Sequence, residues 1–214
     1  MTAPEVQPYP EALLETPLGK LVVEVSQPET LQVVMGASGK PEREVHQEVL
    51  LTKGVPLFKR KGGGGTVVLG PGVIVVTIHA GVEHPFRNLE YFAAINTCLI
   101  EIFNSWKPLP YSLSGISDIA VEGKKLVGTS IFRRKHYLLY QGSLLANFDL
   151  AHIDQLLKHP PKEPEYRRGR PHLEFVTSLR NLGIALPIET LMQDLKTALP
   201  KSLPSRLRNV TIEP

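Results

Sequence analysis

The sequence predicts an α+β fold built on a mixed, largely antiparallel sheet flanked by helices. Three observations carry that expectation. Runs rich in β-branched residues fall before and after one long amphipathic stretch, instead of alternating with helices as a doubly wound sheet would require. Tight-turn residues separate the later runs, which favours hairpins over crossovers. No internal repeat at solenoid periods is evident.

Taken in order, the residues up to Pro17 are proline-rich and predict a loosely docked arm at 1–17, with a single domain over 18–214. KLVVEVS (20–26) and TLQVVMG (30–36) read as strands, the second ending at Gly36. PEREVHQEVLLTK (41–53) reads as one short helix, because Pro41 suits the first position, acids fill the first turn and Lys53-Gly54 closes it. VPLF leads as a short strand into KRKGGGG. The following TVVLGPGVIVVTIHA predicts two strands, or one sharply bent strand, around Gly70-Pro71-Gly72. A helix is expected over 88–104, capped by Asn88, with Leu89, Phe92, Ala93, Leu99, Ile100 and Phe103 on one face. A strand meander follows, turning at Glu122-Gly123-Lys124 and at Arg134-Lys135. A short helix over 150–158 begins after an Asp149 cap, and 160–171 reads as a loop. Helices over 171–182 and 187–199 complete the reading.

Composition narrows the class. A chain of 214 residues with 42% hydrophobic and 21% charged residues can bury a core and is not the composition of a disordered protein. No apolar run reaches the roughly 18 residues a membrane helix needs, and the opening MTAPEVQPYPEALLE does not read as a secretory signal. The lone cysteine, Cys98, makes neither an intrachain disulfide nor a zinc cluster, which fits a reducing, cytoplasmic setting. A net charge of +3 is too small to imply nucleic acid as a partner. The basic residues nevertheless gather in three knots: Lys59, Arg60 and Lys61; Arg133, Arg134, Lys135 and His136; Arg167, Arg168 and Arg170. Each alone reads as a solvated face, whereas convergence would mark an anionic ligand.

Two stretches carry chemistry. Gly62, Gly63, Gly64 and Gly65 follow the first basic knot, and such a run lets backbone amides approach an anion closely. A flexible hairpin loop has the same composition. No Gly-Lys-Ser/Thr follows, so this is not a P-loop, and no helix begins there, so it is not a dinucleotide fingerprint. The second stretch is SDIAVEGKKLVGTS, in which Lys125 opens a strand and Lys124 sits in the turn, so the two should face opposite ways. A plain hairpin with two exposed lysines, and Asp118 as a turn residue, remains the alternative. Cys98 falls within the long helix and reads as a buried structural thiol. His46, His79 and His84 lack metal-ligand spacing, and no serine-triad motif is present.

The blocks VVMGASGKPEREV, LFKRKGGGGTVV, the long helix, SDIAVEGKKLVGTS and YQGSLLANFDL resemble, in order and spacing, the catalytic domain of lipoate–protein ligases. These belong to the wider biotin/lipoate ligase and octanoyltransferase superfamily, and the resemblance runs from about Val33 to Leu179. It implies a fold of the class II aminoacyl-tRNA synthetase/biotin ligase type. It also implies a lipoate- and adenylate-binding loop at Lys59, Arg60, Gly62, Gly63, Gly64, Gly65 and Thr66. The essential lysine falls on Lys125, completed by Gly128 and Thr129, with Asp118 before the hairpin and Gln141, Gly142 and Ser143 after it. Val67, Val68 and residues 73–76 are expected to line an acyl tunnel.

The implied substrates are lipoate or octanoate and ATP with Mg²⁺, with no metal-ligand set in the protein itself. The implied partner is a lipoyl-carrier domain, steered by the basic knots, and neither nucleic acid nor membrane is expected. The resemblance departs from the family pattern at three places. Lys59 replaces an arginine, Leu69-Gly70 replaces His-Asp, and Gln141 replaces a histidine. Only two short helices are expected after Leu179, in place of the extra C-terminal domain of many such ligases; if adenylation requires that domain, an accessory subunit must supply it. The rival readings are an ATP-independent acyl-carrier transferase and a noncatalytic member that binds lipoate or lipoyl domains.

Overall fold

The computed structural model describes residues 4–6, 16–84 and 86–208. Ten strands and six α-helices follow in the order β1 (Glu5–Val6), β2 (Leu21–Ser26), β3 (Gln32–Met35), α1 (Pro41–Glu44), α2 (Gln47–Lys53), β4 (Leu57–Lys59), β5 (Val67–Leu69), β6 (Val73–Gly81), α3 (Asn88–Trp106), β7 (Tyr111–Ser114), β8 (Asp118–Val121), β9 (Lys124–Arg134), β10 (Tyr137–Leu145), α4 (Ala151–Leu156), α5 (His172–Phe175) and α6 (Ile188–Arg208). Of the arm expected over 1–17, residues 1–3 and 7–15 lie outside the described set. Glu5 and Val6 pair in parallel with β4.

The fold class is α+β, with the strands shared between two sheets. The larger has the order β2-β6-β10-β9-β8-β7, and every neighbouring pair in it is antiparallel. The smaller has the order β1-β4-β3-β5 and mixes parallel with antiparallel pairs. The break at Gly70-Pro71-Gly72 yields two strands, and it carries the chain from one sheet to the other. Gly72 turns at φ +95°, and a Cβ there would sit 2.7 Å from the Phe148 nitrogen.

Alternation along the long strands divides the interior. Ile74, Val76 and Ile78 of β6, with Leu138, Tyr140 and Leu144 of β10, face a core completed by α3 and α6. Val73, Val75 and Leu145 face the smaller sheet, α2, α4 and α5. The meander turns at Glu122-Gly123, with Lys124 already in β9, and at Lys135-His136, one residue later than expected because β9 runs on through Arg134. Glu122 and Gly123 take φ of 49° and 74°, as a two-residue hairpin turn requires, and Lys135 takes 51°.

Several expected elements differ. The helix expected over 41–53 divides into α1 and α2 because Val45 leaves the helix to bridge Leu157 and is fully buried. In α3 the buried face is Tyr91, Phe92, Ile95, Asn96, Cys98, Leu99, Ile102 and Phe103, leaving Leu89 exposed. Asn88 is its first residue rather than its cap, and its Oδ1 accepts a hydrogen bond from Arg133. The helix expected over 171–182 lasts only for α5, after which Val176 and Thr177 run beside Lys125, and Leu179 and Arg180 donate to the carbonyls of Leu145 and Ala146. By contrast α6 continues through Pro200 and Pro204. Leu191, Leu195, Leu199 and Leu203 recur every fourth residue in the core, and their burial outweighs the lost proline hydrogen bonds.

Leu195 is fully buried in that core. Leu195→Ala should destabilise the protein by roughly 2–5 kcal/mol, read as a lower midpoint in urea unfolding.

Candidate active site

Lys125 stands on β9 at the meeting of two cavities between the sheets. The smaller, about 110 Å³, is walled by Val34, Val67, Leu69 and Val75 together with Arg60, Gly65, Thr66, Gly128, Thr129, Ser130, Gln141, Gly142 and Ser143. The larger, about 170 Å³, shares Gly65, Thr66, Val67, Lys125, Gly128 and Ser143 with it. It adds an apolar wall that includes Leu145, Ile153, Leu157 and Phe175, a basic rim of Lys158 and Lys162, and the buried Arg167, which pairs with Glu163. Apolar wall predominates in both, the larger also has a basic edge, and the two cavities meet at a single ammonium.

A β-bulge sets the direction of that ammonium. Ala120 pairs with Lys125 and Ile119 with Val127, so Leu126 is an extra residue in β9. Strict alternation would put residues three apart on opposite faces. The extra residue brings Lys125 and Gly128 onto the cavity side, while Leu126 and Val127 both enter the α3 core. Gly128 is then necessary locally, since a Cβ there would lie 2.9 Å from Lys125 Cε and 3.1 Å from Nζ. Ser143, opposite in β10, donates its hydroxyl to the Gly128 carbonyl at 3.1 Å.

Lys125 Nζ lies 2.8 Å from Asp118 Oδ1, and Tyr166 donates its phenol to Asp118 Oδ2 at 2.9 Å. Asp118 is only 8% exposed, so two donors meet a carboxylate that water barely reaches. Burial and the neighbouring Asp118 charge push the Tyr166 phenol up, which keeps its proton in place. Behind the pair, Thr129 donates its hydroxyl to the Ser117 carbonyl, and Asn96 of α3 donates to the same oxygen at 3.0 Å. Tyr140 in turn donates to Asn96 Oδ1 at 2.7 Å.

The glycine loop is held from inside. Arg60 is 7% exposed and donates to the carbonyls of Val34, Gly63 and Gly65. The Ala37 amide donates to the Gly62 carbonyl. The loop closes on Gly36 so tightly that a Cβ there would lie 2.0 Å from the Gly64 oxygen. Gly65 and Thr66 reach the cavities. Gly62, Gly63 and Gly64 form the braced outer part of the loop, and Lys59 lies in β4 outside both walls. The geometry therefore brings Arg60, Gly65, Thr66, Lys125, Gly128, Thr129, Gln141, Gly142 and Ser143 together, with Asp118 behind them.

The profile of the lipoyl protein ligase A/B catalytic domain matches residues 25–200. The chain belongs to that family. An archaeal bipartite lipoate protein ligase from Thermoplasma acidophilum, studied with its E2 lipoyl domain, superposes at a TM-score of 0.77 over 90% of this chain and 76% of its own, at 20% identity. A lipoate-protein ligase A bound with ATP superposes at 0.71 over 86% of this chain and 73% of its own, again at 20% identity. Both likenesses show the biotin/lipoate ligase fold. The octanoyltransferase LipM of Kyrpidia tusciae is 32% identical over 91 residues, 42% of this chain and a third (33%) of that protein.

Other parts of this lipoyl ligase-family domain differ from the reading of the blocks. Val67, Val68 and Val75 line the cavities, but Ile74 and Val76 face the α3 core. The second and third basic knots are largely structural. Arg133 binds the His84 carbonyl and lies over the Tyr91 ring, and Arg167 is buried beneath the larger cavity, 4.9 Å from the Phe175 ring centre. Glu44 is the sole carboxylate in either cavity wall among the described residues, and it accepts a short hydrogen bond from Thr66. Glu44 and Tyr166 carry no sequence signal for the site, because one reads as a helix-start acid and the other as a loop residue. Cys98 is buried between α3 and α6, where burial raises its thiol pKa, and it lies in neither cavity wall.

Gly128→Ala should leave the unfolding midpoint nearly unchanged, since the crowded atoms are the flexible end of a lysine. It should weaken any activity that depends on Lys125 by roughly 10–100-fold in steady-state assays, as expected for a displaced functional group.

Buried His172 faces the Lys158 carbonyl at 3.1 Å and Arg167 at 3.5 Å. Burial lowers the pKa of His172 and of His79. Unfolded histidines take up a proton near pH 6.5 while the folded ones resist, so this stability is complete above about 6.5 and is lost as pH falls toward the lowered folded values. The urea midpoint should therefore decline between about pH 7 and 5.5, and His172→Asn should flatten part of that decline.

Proposed function

We propose that residues 18–214 form the catalytic domain of a lipoate–protein ligase. It would activate lipoate or octanoate with ATP and pass the acyl group to the acceptor lysine of a lipoyl-carrier domain. The observation that carries this reading is Lys125, fixed by Asp118 where the two cavities meet. A carboxylate entering from one cavity and an α-phosphate entering from the other would share the same ammonium.

The smaller cavity, with its valine and leucine wall, suits the acyl chain, and Gln141 and Ser143 would meet its polar end. The larger cavity, rimmed by Lys158 and Lys162, suits the nucleotide. In the first step the acyl carboxylate oxygen attacks the α-phosphorus and the bond to pyrophosphate breaks. In the second, the acceptor amine attacks the acyl carbon, the bond to AMP breaks, and the amine's proton leaves to solvent. Lys125 would hold oxygens of both reactants throughout, which is the electrostatic and positioning role such transfers need. Gly65 and Thr66 would approach the phosphate through the glycine loop, whose outer part Arg60 braces. Gly62, Gly63, Gly64 and Lys59 would contribute through that loop's shape rather than by touching ligand.

No group of three or more His, Cys, Asp or Glu side chains among the described residues gathers to hold a metal. Asp118 is engaged by Lys125 and Tyr166. Mg²⁺ fits here as an ion carried on the nucleotide phosphates, with Glu44 as the carboxylate within the cavity wall, and it would neutralise phosphate charge. A cytoplasmic location and an accessory subunit are part of the proposal. The comparison with a bipartite ligase supports the latter, and no helix among the described residues is long and apolar enough to cross a membrane.

A second reading, an ATP-independent octanoyl or lipoyl transferase, draws on the octanoyltransferase match. A thioester route would need a thiol at the cavity, and the chain's one cysteine is buried in the α3 core. The test is mass spectrometry of a lipoyl domain incubated with the protein, ATP, Mg²⁺ and lipoate, alongside pyrophosphate release. A gain of one lipoyl group with pyrophosphate is expected, abolished by Lys125→Ala and retained by Cys98→Ser. Transfer from an acylated carrier without ATP would favour the second reading, and neither reaction, with or without an accessory subunit, would leave a binding protein.

A further inference from the structure

We propose that Tyr166 is a positioning residue of this site: its phenol pins Asp118, so that Asp118 holds Lys125 by one oxygen and leaves the remaining ammonium protons facing the cavities. The inference rests on the reading of Lys125 as the substrate-binding lysine. The local geometry is a chain of two polar contacts, Tyr166 to Asp118 Oδ2 at 2.9 Å and Asp118 Oδ1 to Lys125 at 2.8 Å. An ammonium has three protons, and one suffices for Asp118. With Oδ2 free, the carboxylate could turn and draw Nζ toward itself with both oxygens, away from an incoming carboxylate or phosphate.

The phenol is held independently of the ion pair. Tyr166 lies in a 3₁₀ turn, Glu165–Arg167, and its ring rests 5.0 Å from that of Phe175. Gly115 also lies against it, since an added Cβ there would come within 3.4 Å of the ring. Arg170 grips the Tyr166 carbonyl and the Gly123 carbonyl of the β8–β9 turn with the same nitrogen, each at 2.8 Å. The segment that carries Tyr166 is thereby tied to the hairpin that carries Lys125. Pro160, Lys162, Pro164 and Arg167 of that segment also wall the larger cavity, so the wall and the lysine are set by one piece of chain.

The test is calorimetric binding of 5′-O-(N-octanoylsulfamoyl)adenosine, a non-transferring mimic of an acyl-adenylate. Tyr166→Phe keeps the ring and, measured well below the melting transition, should weaken binding about tenfold, the scale of one hydrogen bond to a charged group, while lowering the melting temperature by a few degrees because Asp118 Oδ2 loses its donor. Because the effect passes through Asp118, Tyr166→Phe should cause no further loss in an Asp118→Ala background. Should Asp118→Ala not fold, Lys125→Met provides the neutral background with the same expectation. Unchanged binding by Tyr166→Phe, or an equal loss in both backgrounds, would overturn the role while leaving the ligase reading intact. A wild-type protein that does not bind the probe would remove that reading and this role together.

Discussion

An ammonium held between two sheets makes three demands on its surroundings, and the Lys125–Asp118 pair shows how each is met. The charge needs a partner that is itself satisfied, because a buried carboxylate left with an empty oxygen or a lost counter-ion is costly, on the order of 3–5 kcal/mol for a broken pair. Asp118 takes Lys125 on one oxygen and Tyr166 on the other. The ammonium also needs room, and Gly128 provides it where any side chain would touch Nζ. It needs a fixed strand beneath it. The bulge at Leu126 turns Lys125 toward the cavities, and the Thr129–Ser117–Asn96–Tyr140 chain locks that strand to α3.

The glycine loop answers a related problem with opposite means. Its backbone must border a cavity without collapsing into it, and a run of glycines has no stiffness of its own. Arg60 supplies the stiffness by donating to the carbonyls on each side of the loop, and Gly36 lets the loop settle directly on β3. A basic residue next to glycines suggests an anion contact. In this protein much of that charge is turned toward carbonyl oxygens, and the positive rim comes from Lys158 and Lys162, far away in the chain.

Much of the site was legible in the linear order of the blocks. Lys125, Gly128, Gln141 and Ser143 are neighbours in space because β9 and β10 are joined by a tight hairpin, and a hairpin's register follows from its turn. Gly65 and Thr66 were legible for another reason, since glycine marks where a backbone must come close. Glu44, Tyr166, Lys158 and Lys162 were not legible, because helix-start acids and loop residues look alike whether or not a cavity forms beside them. The bulge was hidden too. Leu126 and Val127 are both apolar and both buried, so no break in polarity announces the extra residue.

The sequence by itself determined the local vocabulary: the β-branched runs, the turn at Glu122-Gly123, the break at Gly70-Pro71-Gly72 and the long helix α3, whereas the change of sheet at that break came from the fold. Each of these local features depends on backbone preferences of adjacent residues, so short windows suffice to specify them. Tertiary structure decided the partners and the lengths. It drew Val45 out of a helix to meet Leu157, ended α5 so that Val176 could lie beside Lys125, and carried α6 through two prolines because Leu199 and Leu203 are buried. In each case the decisive energy is burial against residues distant in the chain, which local propensity does not contain.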